Sequence, residues 1–370
     1  MNEAAQREAK VQISNIMSGI KKQSPLTETE REQFLAKLAS FECWQPYLNI
    51  LAQDSNLTPA QKIEHKIDAI GVLNLHLNQM PEAIKKCCQL VEDFELSFED
   101  IRLKVFTRVL ISGNYVQEVR FCEKIAGFFV EKKDQILCLE HIALLYDKRI
   151  HHESALSETY ERILKADPKN IKALRFFKIL HTQTGNWEEA AKYLKMLLLS
   201  VQYPEEKFRV AQELAGILLY QSRLPEQALQ LLDRYCANTP LNTSTLRYDA
   251  HAGLHQWQGC LDVLHGCINL VEENKEKSIL WFRIGQLCKQ LQRDDEALDA
   301  FEKSYSTWAE LIEAREEAIL INLKNKNWDQ LNSNLTELEK QLIGEEQKKK
   351  LELLKKMLSF GIQSQCPPPD

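Results

Sequence analysis

Five aromatic residues stand at nearly equal intervals along this chain: Trp44, Tyr115, Trp187, Trp257 and Trp328, separated by 71, 72, 70 and 71 residues. A spacing held that closely over most of 370 residues demands a structural unit of fixed length. Units of this kind cannot bury their apolar face alone and do so by stacking on copies of themselves. Each aromatic follows a turn and opens an apolar run, as in "TGNWEEAAKYLKMLL" and "NKNWDQLNSNL". Three residues beyond each aromatic the period halves. Tyr47, Ala83, Glu118, Ala155, Ala190, Ala228, Cys260, Ala297 and Leu331 succeed one another at steps of 36, 35, 37, 35, 38, 32, 37 and 34 residues. About four and a half long units, each of two shorter ones, account for residues 27–342.

The segment "LWFRIGQLCKQLQRDDEALDAF" shows what one short unit contains. Trp281, Ile284, Gly285 and Cys288 fall at i, i+3, i+4 and i+7, one face of a helix. A polar break follows, and then Ala297 and Phe301, four apart, mark one face of a second helix. Two antiparallel helices that touch closely need small residues at the crossing, here Gly285 and Ala297, with bulk on either side. The pattern Trp-x2-Ile-Gly-x2-Cys…Ala-x3-Phe resembles the tetratricopeptide repeat, with Ile for Leu and Cys for Tyr. Helix starts agree: Thr58-Pro59-Ala60-Gln61 and Thr27-x-x-Glu30 read as N-terminal caps. The resemblance implies an all-α protein, a right-handed α-solenoid of about nine such helix pairs, like the tandem arrays of bacterial open reading frames. The aromatics are expected to lie across the preceding turn and wedge against the first helix of their own pair. Residues 1–26, with Val11, Ile13, Ile16, Met17 and Ile20, are expected to form a helix capping the first pair. Residues 343–362, with Leu351, Leu353, Leu354, Met357 and Leu358, should form a cap at the other end, before a disordered tail over 363–370.

Composition agrees with helix and argues against several functions. Gly and Pro are sparse, at 12 and 11, and good helix formers dominate. A net charge of −6 gives no electrostatic footprint for nucleic acid or an anionic membrane. No run of eighteen apolar residues is present, and "MNEAAQREAK" lacks the apolar region of an export signal, so a cytoplasmic location is expected. Ten cysteines contain no CxxC pair, and Cys87, Cys260 and Cys288 fall on apolar stripes as reduced core residues. His251 and His255 have the spacing of two metal ligands, but one sits at a packing position and the other in a turn, so no metal is expected. No phosphate-binding loop, GxSxG or HExxH occurs. The repeats leave no room for a catalytic domain. No enzyme activity and no cofactor are expected.

What the resemblance implies is a scaffold that binds a protein or peptide partner. The first helix of each pair would line the binding groove, with Lys172, Arg175, Ile179, Val210, Glu213, Ile217, Tyr220, Ile279, Phe282 and Gln286 facing inward. That mixture suits a helix or an extended peptide. Family members that clamp a C-terminal carboxylate require asparagines which no unit supplies here. An alternative is a peptide-sensing regulator with a separate N-terminal effector module. The register of Trp44 and Tyr47 argues for a plain scaffold.

Overall fold

The computed structural model describes residues 11, 14, 15, 18, 28–52, 57–237, 241–341, 349, 351, 352, 355 and 356. Among them the secondary structure is helical, with no strand. Eighteen helices form nine antiparallel pairs, odd-numbered helices first in each pair. They are α1 (Glu28–Ser40) with α2 (Trp44–Leu51), α3 (Pro59–Gly71) with α4 (Met80–Phe94), and α5 (98–109) with α6 (Tyr115–Ile125). Next come α7 (Lys132–Leu145) with α8 (Glu153–Ala166), α9 (Ile171–Gln183) with α10 (Trp187–Ser200), and α11 (Pro204–Tyr220) with α12 (Pro225–Tyr235). The last three are α13 (Ser244–Gly253) with α14 (Trp257–Ile268), α15 (Asn274–Gln290) with α16 (Asp294–Thr307), and α17 (Ile312–Lys324) with α18 (Trp328–Gln341). Three first helices carry a π turn: Val72–His76 after α3, Ile101–Phe106 within α5 and Tyr146–Ile150 after α7. The chain divides into two compact units, residues 1–177 and 178–370.

One backbone device makes every hairpin. Two residues before each second helix, the chain takes a left-handed conformation, at Glu42, Asn78, Gly113, His151, Gly185, Arg223, His255, Gln292 and Lys326. In eight of the nine the next amide then turns back to the first helix or its π turn. In five pairs it donates to the carbonyl five residues earlier, each at 2.9 Å: Cys43 to Leu38, Asn186 to His181, Gln256 to His251, Arg293 to Cys288 and Asn327 to Asn322. This satisfies carbonyls that the helix end would otherwise leave unpaired. Asn114 and Asn186 then accept from the amides of Gln117 and Glu189, capping the second helix. Only two of the nine left-handed residues are glycine. A side chain in this conformation is strained by about 1 kcal/mol or more. Gln292→Gly should therefore raise the stability of the second unit by about 1 kcal/mol, read as an increased urea midpoint; a lower midpoint would show that the Gln292 side chain contributes more than its backbone costs.

Small residues bring the helices together as the pattern requires. Ala83, Ala190, Ala228, Cys260, Ala297 and Leu331 are all essentially inaccessible. Tyr47, Glu118 and Ala155, in the same register, stay half-buried, and Glu118 there takes the ring nitrogen of His141 at 2.7 Å. The first unit is built on Ile67, Ile70, Leu90, Ile101, Phe121, Ile125 and Ile142. Its thiols Cys87, Cys122 and Cys138 belong to this core. Burial pushes the Cys87 thiol up to about 12, so it stays protonated and packs as a small apolar group. In the second unit, α15 and α16 pack along a shared seam. Ser278 and Ser304, both fully buried, donate to each other's backbone carbonyls at 2.9 and 2.8 Å. Two turns further on, Gly285 faces the Phe301 ring.

The aromatics behave as five different side chains in one backbone position. Trp44, Tyr115, Trp187, Trp257 and Trp328 each open their second helix. Trp328 packs against the cluster of Leu331, Leu335, Leu338 and Leu351, on which Ile312 and Ile319 of α17 also pack. Trp44 instead stacks on His76 of the following pair, with ring centroids 3.8 Å apart. Trp187 is half-buried, and Trp257 is 36% exposed against His255. The turn fixes where the indole starts, and the neighbouring side chains decide where it lies: Trp257 lies against the preceding turn, as expected, whereas Trp44 also reaches the following pair. Leu351 is buried against Leu331, Leu335 and Leu338, and Lys355 pairs with Glu339 at 2.6 Å, so chain beyond α18 packs on that helix. Of the proposed N-terminal cap, Val11 is exposed; Ile13, Ile16, Met17, Ile20 and the tail over 363–370 lie outside the described residues.

Candidate binding face and its slot

The first helices meet one another through charged and polar side chains. In the first unit, Arg108 of α5 reaches back to Glu64 and Asp68 of α3 at 2.5 Å each. The Phe98 amide that opens α5 donates to Asp134 of α7 at 3.0 Å, and Lys172 of α9 pairs with Glu140 of α7 at 2.5 Å. In the second unit, Lys178 of α9 pairs with Glu213 of α11 at 2.9 Å, and the Tyr220 hydroxyl of α11 donates to Asp249 of α13 at 2.6 Å. Lys289 of α15 pairs with Glu317 of α17. Burial first, then the bond to the Asp249 carboxylate, pushes the Tyr220 phenol up to about 12, so it remains a donor at neutral pH. Exposed ion pairs contribute little stability. Their effect on the face is to neutralise it.

The series breaks once in the second unit. Among the described residues, no side-chain hydrogen bond or ion pair joins α13 to α15. Helix α13 has 10 residues, whereas α11 and α15 have 17 each. In the gap lies a slot of about 340 Å³, toward the small end of the ~300–1,000 Å³ found for ligand pockets. Its apolar walls are Val263, Leu264 and Cys267 of α14, Leu280 and Leu287 of α15, and Tyr248 of α13. Leu264, Cys267 and Leu287 are 4–5% exposed and belong to, or adjoin, the core of the second unit. Ser244, Thr245 and Asp249 line it from α13, and Arg283, Gln286 and Gln290 from α15. Two other clefts, of about 440 and 490 Å³, border stretches of chain outside the described residues.

The ten residues expected to face a partner divide between the units. Lys172 and Arg175 belong to the first and are exposed. In the second, Ile179 and Tyr220 are 47% and 53% exposed, Glu213 is exposed but paired, and Ile279 is half-buried. Phe282 is half-buried with its ring 5.6 Å from that of Phe301. Gln286 alone of the ten lines the slot. Val210 and Ile217 are corrections: at 6% and 7% exposure they are core residues and present no surface. Sequence reasoning passed over Arg283, Thr245 and Asp249 as site residues. The signal was present in the step of 32 residues to Cys260 and 37 from it, which marks a shortened pair followed by a lengthened one.

Neither His251 nor His255 is placed as a ligand. His251 Nδ1 lies 2.9 Å from Gln256 Oε1, and His255 is the left-handed turn residue. Among the described residues no group of three His, Cys, Asp or Glu side chains is arranged to hold a metal. No described helix is long and apolar enough to cross a membrane.

No protein-family model matches the sequence, and no curated protein matches it. Solved structures do. The crystal structure of MamA protein is 17% identical over 49% of this chain and 94% of its own, with a TM-score of 0.34. Yeast Tom70 is 12% identical over 93% of this chain and 77% of its own, with a TM-score of 0.32. YrrB, described as a TPR protein with an unusual peptide-binding site, is 13% identical over 71% of this chain and 99% of its own, with a TM-score of 0.22. The decisive observation is internal to the chain: among the described residues nine helix pairs follow one another, each turned by a left-handed residue and most with a small buried residue on the second helix. The fold is tetratricopeptide-like.

Proposed function

We propose that this chain is a non-enzymatic scaffold that holds a partner protein or peptide on the face of its first helices. The slot between α13 and α15 carries the reading. It combines an apolar floor open to solvent with a polar rim, the form in which an extended or helical peptide buries one anchoring side chain. The surrounding face supports it. Ile179 and Tyr220 are exposed among charges that are mostly paired with one another, which favours a partner with apolar and mixed polar character over a polyanion. The slot contains Ser244, Thr245 and Cys267 but no histidine, and its carboxylate, Asp249, is engaged by Tyr220. That arrangement offers no nucleophile beside a base. The separate N-terminal effector module draws no support from α1 and α2, which turn and pair like the helices after them.

A random dodecapeptide display library, panned against the immobilised full chain, tests the proposal. Selected peptides should bind in solution and lose at least about tenfold in affinity, ~1.4 kcal/mol, to Thr245→Trp. Thr245 is exposed at the rim, so its indole covers the slot while the core, checked by circular dichroism, stays intact. A library that enriches nothing over an unrelated helical protein would overturn the reading.

A further inference from the structure

We infer that the slot takes an apolar side chain flanked by a carboxylate, with Arg283 as the group that reads the acid; this rests on the scaffold reading above. Along the first helices Arg108, Lys172, Lys178 and Lys289 each pair with an acid on an adjacent first helix. Arg283 lines the slot, yet its guanidinium makes no hydrogen bond or ion pair among the described residues. The one carboxylate lining the slot, Asp249, already accepts from the Tyr220 hydroxyl at 2.6 Å.

The chemistry follows from the Arg283 donors that no described residue engages, while the Asp249 charge sits with the Tyr220 hydroxyl on the α13 side. An exposed arginine presents a planar fork of N–H donors that matches a carboxylate bidentately. Gln286 and Gln290 stand on the same helix and line the same slot, adding amide donors. Leu264 and Leu287 at the floor remove an aliphatic or aromatic side chain from water. A basic residue next to the anchor would meet Arg283 with like charge and be rejected, so the same side chain supplies affinity and discrimination. The occupant is therefore an acidic–apolar peptide motif within a partner protein.

Panning the dodecapeptide library in parallel on the full wild-type chain and on Arg283→Glu tests this directly. Wild type should enrich leucine, isoleucine or phenylalanine next to aspartate or glutamate. Arg283→Glu should keep the apolar preference and exchange the acid for lysine or arginine. A wild-type peptide should lose roughly 10- to 100-fold in affinity on Arg283→Glu, the span expected of one charge-assisted contact, and less on Arg283→Gln. Arg283 is exposed, and melting curves verify that the variants fold. Peptides that are lost on Thr245→Trp but show the same selection on wild type and Arg283→Glu would overturn the inference and leave the scaffold reading standing. A library with no binders would remove both. Sedimentation showing a dimer of the chain dissolved by Thr245→Trp would also overturn it, by assigning the slot to a second copy.

Discussion

Phe301→Ala should cost the second unit about 3–5 kcal/mol, the range for removing a fully buried aromatic. Phe301 is wholly inaccessible, and its ring fills the space that Gly285 leaves: a Cβ added at Gly285 would lie 2.6 Å from the ring. Phe282 leans on the same ring from the next turn at 5.6 Å. The glycine and the phenylalanine are thus two halves of one fit. It follows that Gly285→Ala overpacks the crossing by about 1–3 kcal/mol, and that Phe301→Leu in the same chain should recover part of that loss, giving a non-additive pair. Urea denaturation of the four variants checks both statements. Additive losses for Gly285→Ala and Phe301→Leu would mean the two residues do not share the contact. Because the Ser278–Ser304 bonds lie on the same two helices, the damage should reach amide protection throughout α15 and α16.

The second large effect belongs to the first unit and is polar. Asn74 sits in the π turn after α3 at 4% exposure. Its amide nitrogen donates to the Val109 carbonyl at 2.8 Å, and its oxygen accepts from Gln117 Nε2 at 2.8 Å. Val109 ends α5 and Gln117 lies in the first turn of α6. One side chain therefore serves a helix end and a second helix of the next pair. Asn74→Asp keeps the shape and replaces the donor by a carboxylate oxygen facing a carbonyl oxygen. The expected loss at pH 7 is about 3–5 kcal/mol, the cost of an uncompensated buried charge. Acidification should restore part of it, because the introduced carboxylic acid, once protonated, can donate to the Val109 carbonyl. Urea midpoints at neutral and acidic pH, with wild type beside the variant, measure this; a loss independent of pH would place the charge in contact with water.

How much of this was readable in advance depends on which interaction does the work. Thr58 and Gln61 form the reciprocal cap that their spacing implies, with the Gln61 amide donating to Thr58 Oγ1 at 3.3 Å and the Thr58 amide to Gln61 Oε1 at 2.9 Å. Ala297 and Gly285 lie at the crossing where small residues were required. These are local or single-interface demands, and residue type expresses them directly. Asn74 gave no such signal. A polar residue in an apolar stretch has the same letter whether it faces water or a helix end in the next pair. Val210 and Ile217 are a related case: helical phase placed them toward a groove, and the folded chain buries them.

The amino-acid sequence by itself determined the helical class, the succession of helix pairs and the turns that precede the five aromatics. Each of these follows from periodicity about a helix axis or from a few residues at a helix end. Tertiary structure alone decided that Trp44 stacks on His76 and that, among the described residues, α13 and α15 share no side-chain hydrogen bond or ion pair and Arg283 makes neither beside an apolar slot. Those features depend on the spacing between neighbouring pairs, set by helix length and by the fit of side chains distant in sequence, and a repeat pattern records only what the pairs have in common.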